Sequence, residues 1–188
     1  MNTTTVVPQP SSSSRVITLG GGCFWCTEAV FVRVKGVLTV TSGYSNGHVE
    51  KPSYEQVCTG NTGHNEVVQI TYDAHQISLR ELLEIFFVIH DPTTLNRQGN
   101  DAGTQYRSGI YFQDEADHAV AQQVLDEVNQ QLSGRVVTEL LPLRNYWAAE
   151  AYHQDYFAHH PDQGYCAFVV APKVQKFLHT FADKVRDA

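Results

Sequence analysis

Cys23 follows three consecutive glycines, Gly20, Gly21 and Gly22, and precedes a run with apolar residues at helical spacing. A thiol where a Gly-rich loop enters a helix meets unpaired backbone N–H groups and the positive end of the helix dipole, both of which stabilise a thiolate. Cys23 is therefore a candidate nucleophile; the bland alternative is a buried, inert cysteine on an apolar helix face. Phe24 and Trp25 come next, either as core or as an apolar wall for a small alkyl group. Cys26 completes a Cys-x-x-Cys pair, the arrangement of dithiol oxidoreductases. Glu66 is the second anomaly, because the two-residue period of a strand puts it on one face with Val68, Ile70 and Tyr72. A desolvated carboxyl favours its neutral form, an acid able to donate a hydrogen bond or proton at neutral pH. The alternative is an exposed carboxyl at a frayed strand end. Tyr54, Asp101 and Tyr106 lie in polar loops, where each alone reads as a turn former or half-buried aromatic. Cys58, in Val57-Cys58-Thr59-Gly60, reads as a bystander.

The elements that must position these residues follow from periodicity. Arg15 to Leu19 is β-branched and runs into the glycines, and Cys23 to Val34 follows, which gives strand, tight loop and helix. Val37 to Thr41 and Glu66 to Tyr72 read as strands separated by a long Gly-, Asn- and Tyr-bearing connection. Ser78 begins a capping box with Glu81, and Leu79, Leu82, Leu83, Phe86 and Ile89 make one apolar face, predicting a helix to about His90. Arg107 to Phe112 is a further strand. Asp114 opens a helix on which Val120, Val124, Val128 and Leu132 repeat every four residues, with Gly134 as its C-cap. Val136 to Leu140 reads as a strand, Tyr146 to His159 as a helix closed by Pro161, and Val174, Phe177, Leu178, Phe181 and Val185 as the face of a last helix. The order β-α-β-β-α-β-α predicts an α+β, two-layer α/β sandwich with a ferredoxin-like split βαβ core and long added loops. Asn61 to Asn65 and Asn96 to Gln105 are two such loops, and loops of this kind usually carry function.

Composition bounds the class. The chain has 188 residues, 42% apolar and 18% charged, which suits one domain over residues 15–188. The Ser-, Thr- and Pro-rich stretch 1–14 reads as a disordered tail; it has no basic or apolar segment of a targeting signal. A net charge of -7 opposes binding to nucleic acid or an anionic membrane, and no apolar run is long enough to span a bilayer. Four cysteines are too few for a secreted disulfide scaffold, which points to a cytoplasmic protein with catalytic or metal-binding thiols.

Several blocks together resemble a known family. Gly22-Cys23-Phe24-Trp25, Ser42-Gly43-Tyr44, Pro52-Ser53-Tyr54, Thr62-Gly63-His64-Asn65-Glu66 and the run from Gln98 to Ser108 look like the signature of peptide methionine sulfoxide reductase A. Tyr152-His153-Gln154-Asp155-Tyr156 and Gly164-Tyr165-Cys166 continue it. The resemblance implies that Cys23 is the nucleophile, that Phe24 and Trp25 hold the substrate methyl, and that Glu66, Tyr54 and Tyr106 surround the sulfoxide oxygen with Asp101 orienting the site. It implies reduction of methionine (S)-sulfoxide, peptide-bound or free, through a cysteine sulfenic acid and a disulfide that thioredoxin reduces. No metal or organic cofactor is called for, and the expected state is a monomer. Many members have Gly after the Phe-Trp pair where this chain has Cys26, so the resolving thiol is either Cys166, which matches the family's position, or Cys26. Two other readings compete: a thioredoxin-like disulfide exchanger using Cys23 and Cys26 alone, and a zinc module built from Cys23, Cys26, Cys166 and His159 or His160.

Overall fold

Alternating and β-branched segments form strands here, and the apolar stripes between them form helices. The computed structural model describes residues 13–187, in the order β1 (Ser14–Gly21), α1 (Phe24–Phe31), β2 (Val37–Ser45), α2 (Tyr54–Cys58), β3 (Asn65–Asp73), α3 (Leu79–Ile89), β4 (Arg97–Gln98), β5 (Asp101–Ala102), β6 (Ser108–Phe112), α4 (Glu115–Gln131), β7 (Glu139–Pro142), β8 (Tyr146–Ala148), α5 (Tyr156–His159) and α6 (Ala171–Thr180). The result is a mixed α/β fold. Its main sheet has the order β7-β6-β1-β3-β2-β8, antiparallel throughout except for the parallel pair β6/β7. Helices α1, α3 and α4 pack on this sheet, and α6 packs on α1 and α3.

Local signals account for most boundaries. Ser78 caps α3 through the expected box with Glu81, and Leu82, Leu83 and Phe86 are fully buried. Asp114 caps α4 by accepting from Asp117 N–H. Beyond α4 the chain turns through positive φ at Ser133 and Gly134, and Gly134 N–H returns to the Asn129 carbonyl at 2.8 Å. A second capping box, Ser53 with Gln56, starts the short α2 inside the long connection, and its Ser-x-x-Gln spelling is readable in the sequence.

Four expectations need correction. Of the expected tail 1–14, residues 1–12 lie outside the described ones, while Ser14 opens β1 and the Ser13 carbonyl accepts from Ala74 N–H at 2.8 Å. Tyr146 to His159 is not one helix. Tyr146 to Ala148 pair with Ser45 to Gly43 as β8, because the open edge of β2 supplies backbone partners that two aromatic, strand-favouring residues use. Ala151–His153 makes a single 3₁₀ turn, and only Tyr156–His159 is α-helical. The strand expected at Val136 begins three residues later, at Glu139, since Val137 N–H is drawn to the Pro92 carbonyl at 2.8 Å. The last helix stops at Thr180, and Val185 forms a bridge with Val34 instead. Within the loop 96–105, β4 and β5 make a small hairpin followed by a 3₁₀ turn, Thr104–Tyr106.

Candidate active site

The glycine loop sets Cys23 at the N-cap of α1, where it is nearly buried. Gly22 has φ +92°, and a Cβ there would fall 2.6 Å from Gln98 Cγ, so no other residue fits. Gln98 is itself fixed: its amide accepts from Asp91 N–H at 3.0 Å and donates to the Asp91 carbonyl at 2.9 Å.

Glu66 faces this thiol. It shares the buried face of β3 with Val68, Ile70 and Tyr72 and is 1% exposed, which rejects the frayed-end alternative. Asn65 Nδ2 holds the start of the strand by donating to the Arg107 carbonyl at 3.0 Å and to Tyr111 Oη at 2.9 Å. One oxygen of Glu66, Oε1, accepts from Phe24 N–H at 3.2 Å, and the other, Oε2, is buried with no protein partner. Burial, reinforced by Asp101, outweighs the Phe24 N–H and pushes the carboxyl up to about 8, so it is neutral at pH 7. The Cys23 thiol is also raised well above its ordinary value, first by burial and then by Glu66 and Cys26, against the opposing Trp25 N–H and Tyr165 hydroxyl. A helix start favours the thiolate, but burial of Cys23 outweighs it.

Tyr54 and Tyr106 are half-buried and both respond to charge on Glu66, Tyr106 also to charge on Cys23; burial keeps both phenols protonated. Asp101 accepts from Tyr165 Oη at 2.6 Å, and that hydroxyl lies 3.9 Å from Cys26 Sγ. Phe24, Trp25 and Tyr54 all meet the His153 ring, Glu66 lies close enough to act on Cys23, Tyr54 and Tyr106, and Asp101 joins them through Tyr165. Cys58 is exposed but hydrogen-bonds Tyr54, so it borders the site without facing Cys23. Cys26 and Cys166 are buried free thiols; charge on Cys26 acts on Cys23, and charge on Cys166 acts on Cys26.

Several members of the site carried no role in the sequence reading. Trp25 Nε1 donates to His153 Nδ1 at 3.1 Å, and the Trp25 ring stacks on Tyr156 at 3.9 Å and 5°. Burial lowers the His153 pKa, which keeps Nδ1 available as the acceptor. Glu150 accepts from Tyr44 Oη at 3.0 Å, Tyr152 Oη at 3.2 Å and Tyr54 N–H at 3.3 Å, tying three pocket segments together. The signal for these residues was the aromatic and His density of 152–156, which an assumed helix scattered around its circumference. The zinc reading finds no support: among the described residues no three His, Cys, Asp or Glu side chains are grouped to hold a metal ion. His159 and His160 instead place Nδ1 on the carbonyls of Asp155 and Tyr156, at 2.9 and 3.2 Å.

A protonated acid beside a reducing thiol, walled by aromatics and backed by two further thiols, fits a thiol-based oxidoreductase. A family model described as peptide methionine sulfoxide reductase matches residues 15–185, and the chain belongs to that family of methionine sulfoxide-reducing enzymes. A peptide methionine sulfoxide reductase MsrA of Saccharolobus solfataricus is 58% identical over 171 residues, covering 91% of this chain and 97% of that protein. The solved structure of Mxr1 from Saccharomyces cerevisiae in reduced form has a TM-score of 0.78 at 36% identity, covering 86% of this chain and 94% of Mxr1. Mxr1 in complex with Trx2 has a TM-score of 0.55 at 27% identity, over 81% of this chain and 91% of Mxr1.

Proposed function

We propose that this chain reduces methionine (S)-sulfoxide, peptide-bound or free, with Cys23 as nucleophile and Glu66 as the acid. The observation that carries the assignment is the buried, neutral carboxyl of Glu66 with one oxygen fixed by Phe24 N–H and the other unpartnered beside the thiol. A sulfoxide oxygen placed there accepts a hydrogen bond from the acid and from the hydroxyls of Tyr54 and Tyr106, which makes its sulfur electrophilic. The Cys23 sulfur attacks that sulfur as its own proton leaves through the hydrogen-bonded acids. The S–S bond so formed and the substrate S–O bond then break as the oxygen, carrying the thiol's proton, bonds to the Cys23 sulfur, which leaves Cys23 as a sulfenic acid and releases the thioether. Phe24 and Trp25 wall the methyl group, while Asp101 holds Tyr165.

Recycling then needs a second thiol. Cys166 is the main partner in this reading and Cys26 competes or relays, each condensing with the sulfenic acid to a disulfide and water; thioredoxin supplies the two electrons that reopen it. The existence of an Mxr1 complex with Trx2 supports such a partner. No bound cofactor enters the scheme. The unit is a single domain over 15–188, a monomer in the cytoplasm that repairs proteins after oxidative damage. The central order β6-β1-β3-β2 with its two crossover helices supports a split βαβ, ferredoxin-like core. Among the described residues no helix is long and apolar enough to cross a membrane.

Glu66→Gln tests the assignment. Single-turnover methionine formation should slow by roughly 10²-fold, the usual scale for a lost general acid, with substrate binding less affected. A variant that forms methionine at the parent rate would make Glu66 a structural residue.

A further inference from the structure

Glu28 is a second buried acid that the chemistry above does not use. It lies three residues after Trp25 on α1, so the two share a helix face, and it is 3% exposed as the one charged residue in a mostly apolar helix. Its carboxyl receives three donors. Ser42 Oγ donates at 2.9 Å, and the backbone N–H groups of Asp155 and Tyr156 hydrogen-bond it from the segment that crosses α1. Those two N–H groups belong to the cap and first residue of α5, where a helix offers no internal acceptor. Asp155 has φ +55°, a left-handed conformation costly for a residue with a side chain, and the turn aims successive N–H groups at one carboxyl. Gln154 adds a clamp beside it: its amide accepts from Ser42 N–H and donates to the Ser42 carbonyl, both at 2.9 Å.

The residue held by this grip is Tyr156, whose ring lies flat on Trp25 at 3.9 Å. We propose that Glu28 is a positioning residue for the substrate wall: by anchoring the backbone of Asp155 and Tyr156 to α1, it sets the Tyr156 ring against Trp25 and so fixes the width of the methyl-binding slot. The inference rests on the reading of Trp25 as substrate wall. It assigns Glu28 no contact with substrate and no proton transfer. A wall that meets the substrate equally in ground and transition states changes KM and leaves the chemical step at saturation alone.

The test is a double-mutant cycle on the full-length enzyme with a methionine sulfoxide peptide. Glu28→Gln should raise KM by about 10-fold and change the saturating single-turnover rate by less than about 3-fold, the scale of a loosened apolar pocket. Tyr156→Ala should raise KM similarly, and the double variant should be no worse than Tyr156→Ala alone, since both changes act through one ring. Additive KM effects, or a parental KM in folded Glu28→Gln when Tyr156→Ala raises it, would overturn the role of Glu28. A parental KM in Trp25→Ala would instead overturn the wall on which it rests. Amide hydrogen exchange on the parent enzyme needs no variant to fold: the Asp155 and Tyr156 amides should be protected, and fast exchange at both would overturn the anchor.

Discussion

Burial, acting on the two central groups alike, keeps both the Cys23 thiol and the Glu66 carboxyl in their neutral forms. Cys23→Ser should abolish sulfoxide reduction in a folded protein, because a hydroxyl lacks the nucleophilicity of sulfur; methionine formation above background would reject the assignment. Glu66 gives a pH dependence with a definite sign. The acid form is lost as pH rises through about 8, so the single-turnover rate should fall there. The same shift acts on stability, since a carboxyl whose pKa is raised on folding favours the native state below its unfolded value and loses that contribution as pH climbs to about 8. Glu66→Gln, which cannot ionise, should therefore gain melting temperature relative to the parent between pH 4 and pH 9, and an unchanged difference would mean that Glu66 is not neutral at rest. Cys23 and Glu66 were legible in the sequence because each breaks a local pattern, a thiol after three glycines and an acid on an apolar strand face. Glu28 breaks a pattern too, but one acid on a helix usually faces water, and its three donors come from β2 and α5, far away in sequence. The rise in the Cys23 pKa was not legible for the same reason: helix-end chemistry is local, whereas desolvation depends on what else closes over the residue.

At the scale of elements, recycling depends on where the second thiols sit. Cys166 opens a π-helical turn, Cys166–Val170, that runs directly into α6, and it is fully buried. π-Turns inside helices are strained and frequent at functional sites, and one here gives the segment a place to open. Cys166→Ser should complete one turnover yet lose most thioredoxin-dependent cycling, while Cys26→Ser should keep more of it. If Cys166→Ser cycles normally and accumulates only a Cys23–Cys26 disulfide, the ordering reverses; mass spectrometry of the oxidised protein distinguishes the two. The same scale shows what periodicity can and cannot carry. Helices α3 and α4 were legible end to end because caps and apolar stripes agree. β8 was not, since Tyr146 and Trp147 pair with Ser45 and Tyr44, far earlier in the chain, and no window of local sequence contains that edge. The hairpin β4/β5 is two residues per strand, below the length at which alternation can be seen.

Across the whole molecule, the sheet order gathers residues from every part of the chain at one end of the strands. Cys23 follows the end of β1 and Glu66 stands at the start of β3, and antiparallel pairing of those strands makes the two ends coincide. The opposite end of the sheet holds both ends of the described residues. Ser14 pairs with Asp73, Asp73 N–H bonds the Gly36 carbonyl at 2.8 Å, Lys35 N–H bonds the Lys184 carbonyl at 2.7 Å and Arg186 N–H bonds the Arg33 carbonyl at 2.8 Å. Both ends of the described chain thus meet the same turn, on the side away from the chemistry. The described fold is consequently suited to circularisation: a short linker closing Asp187 to Ser13 should leave kcat/KM within about 2-fold and remove chain entropy from the unfolded state. By the loop-closure relation for a ring of this size the gain approaches about 5 kcal/mol, read as a higher denaturant midpoint at unchanged activity.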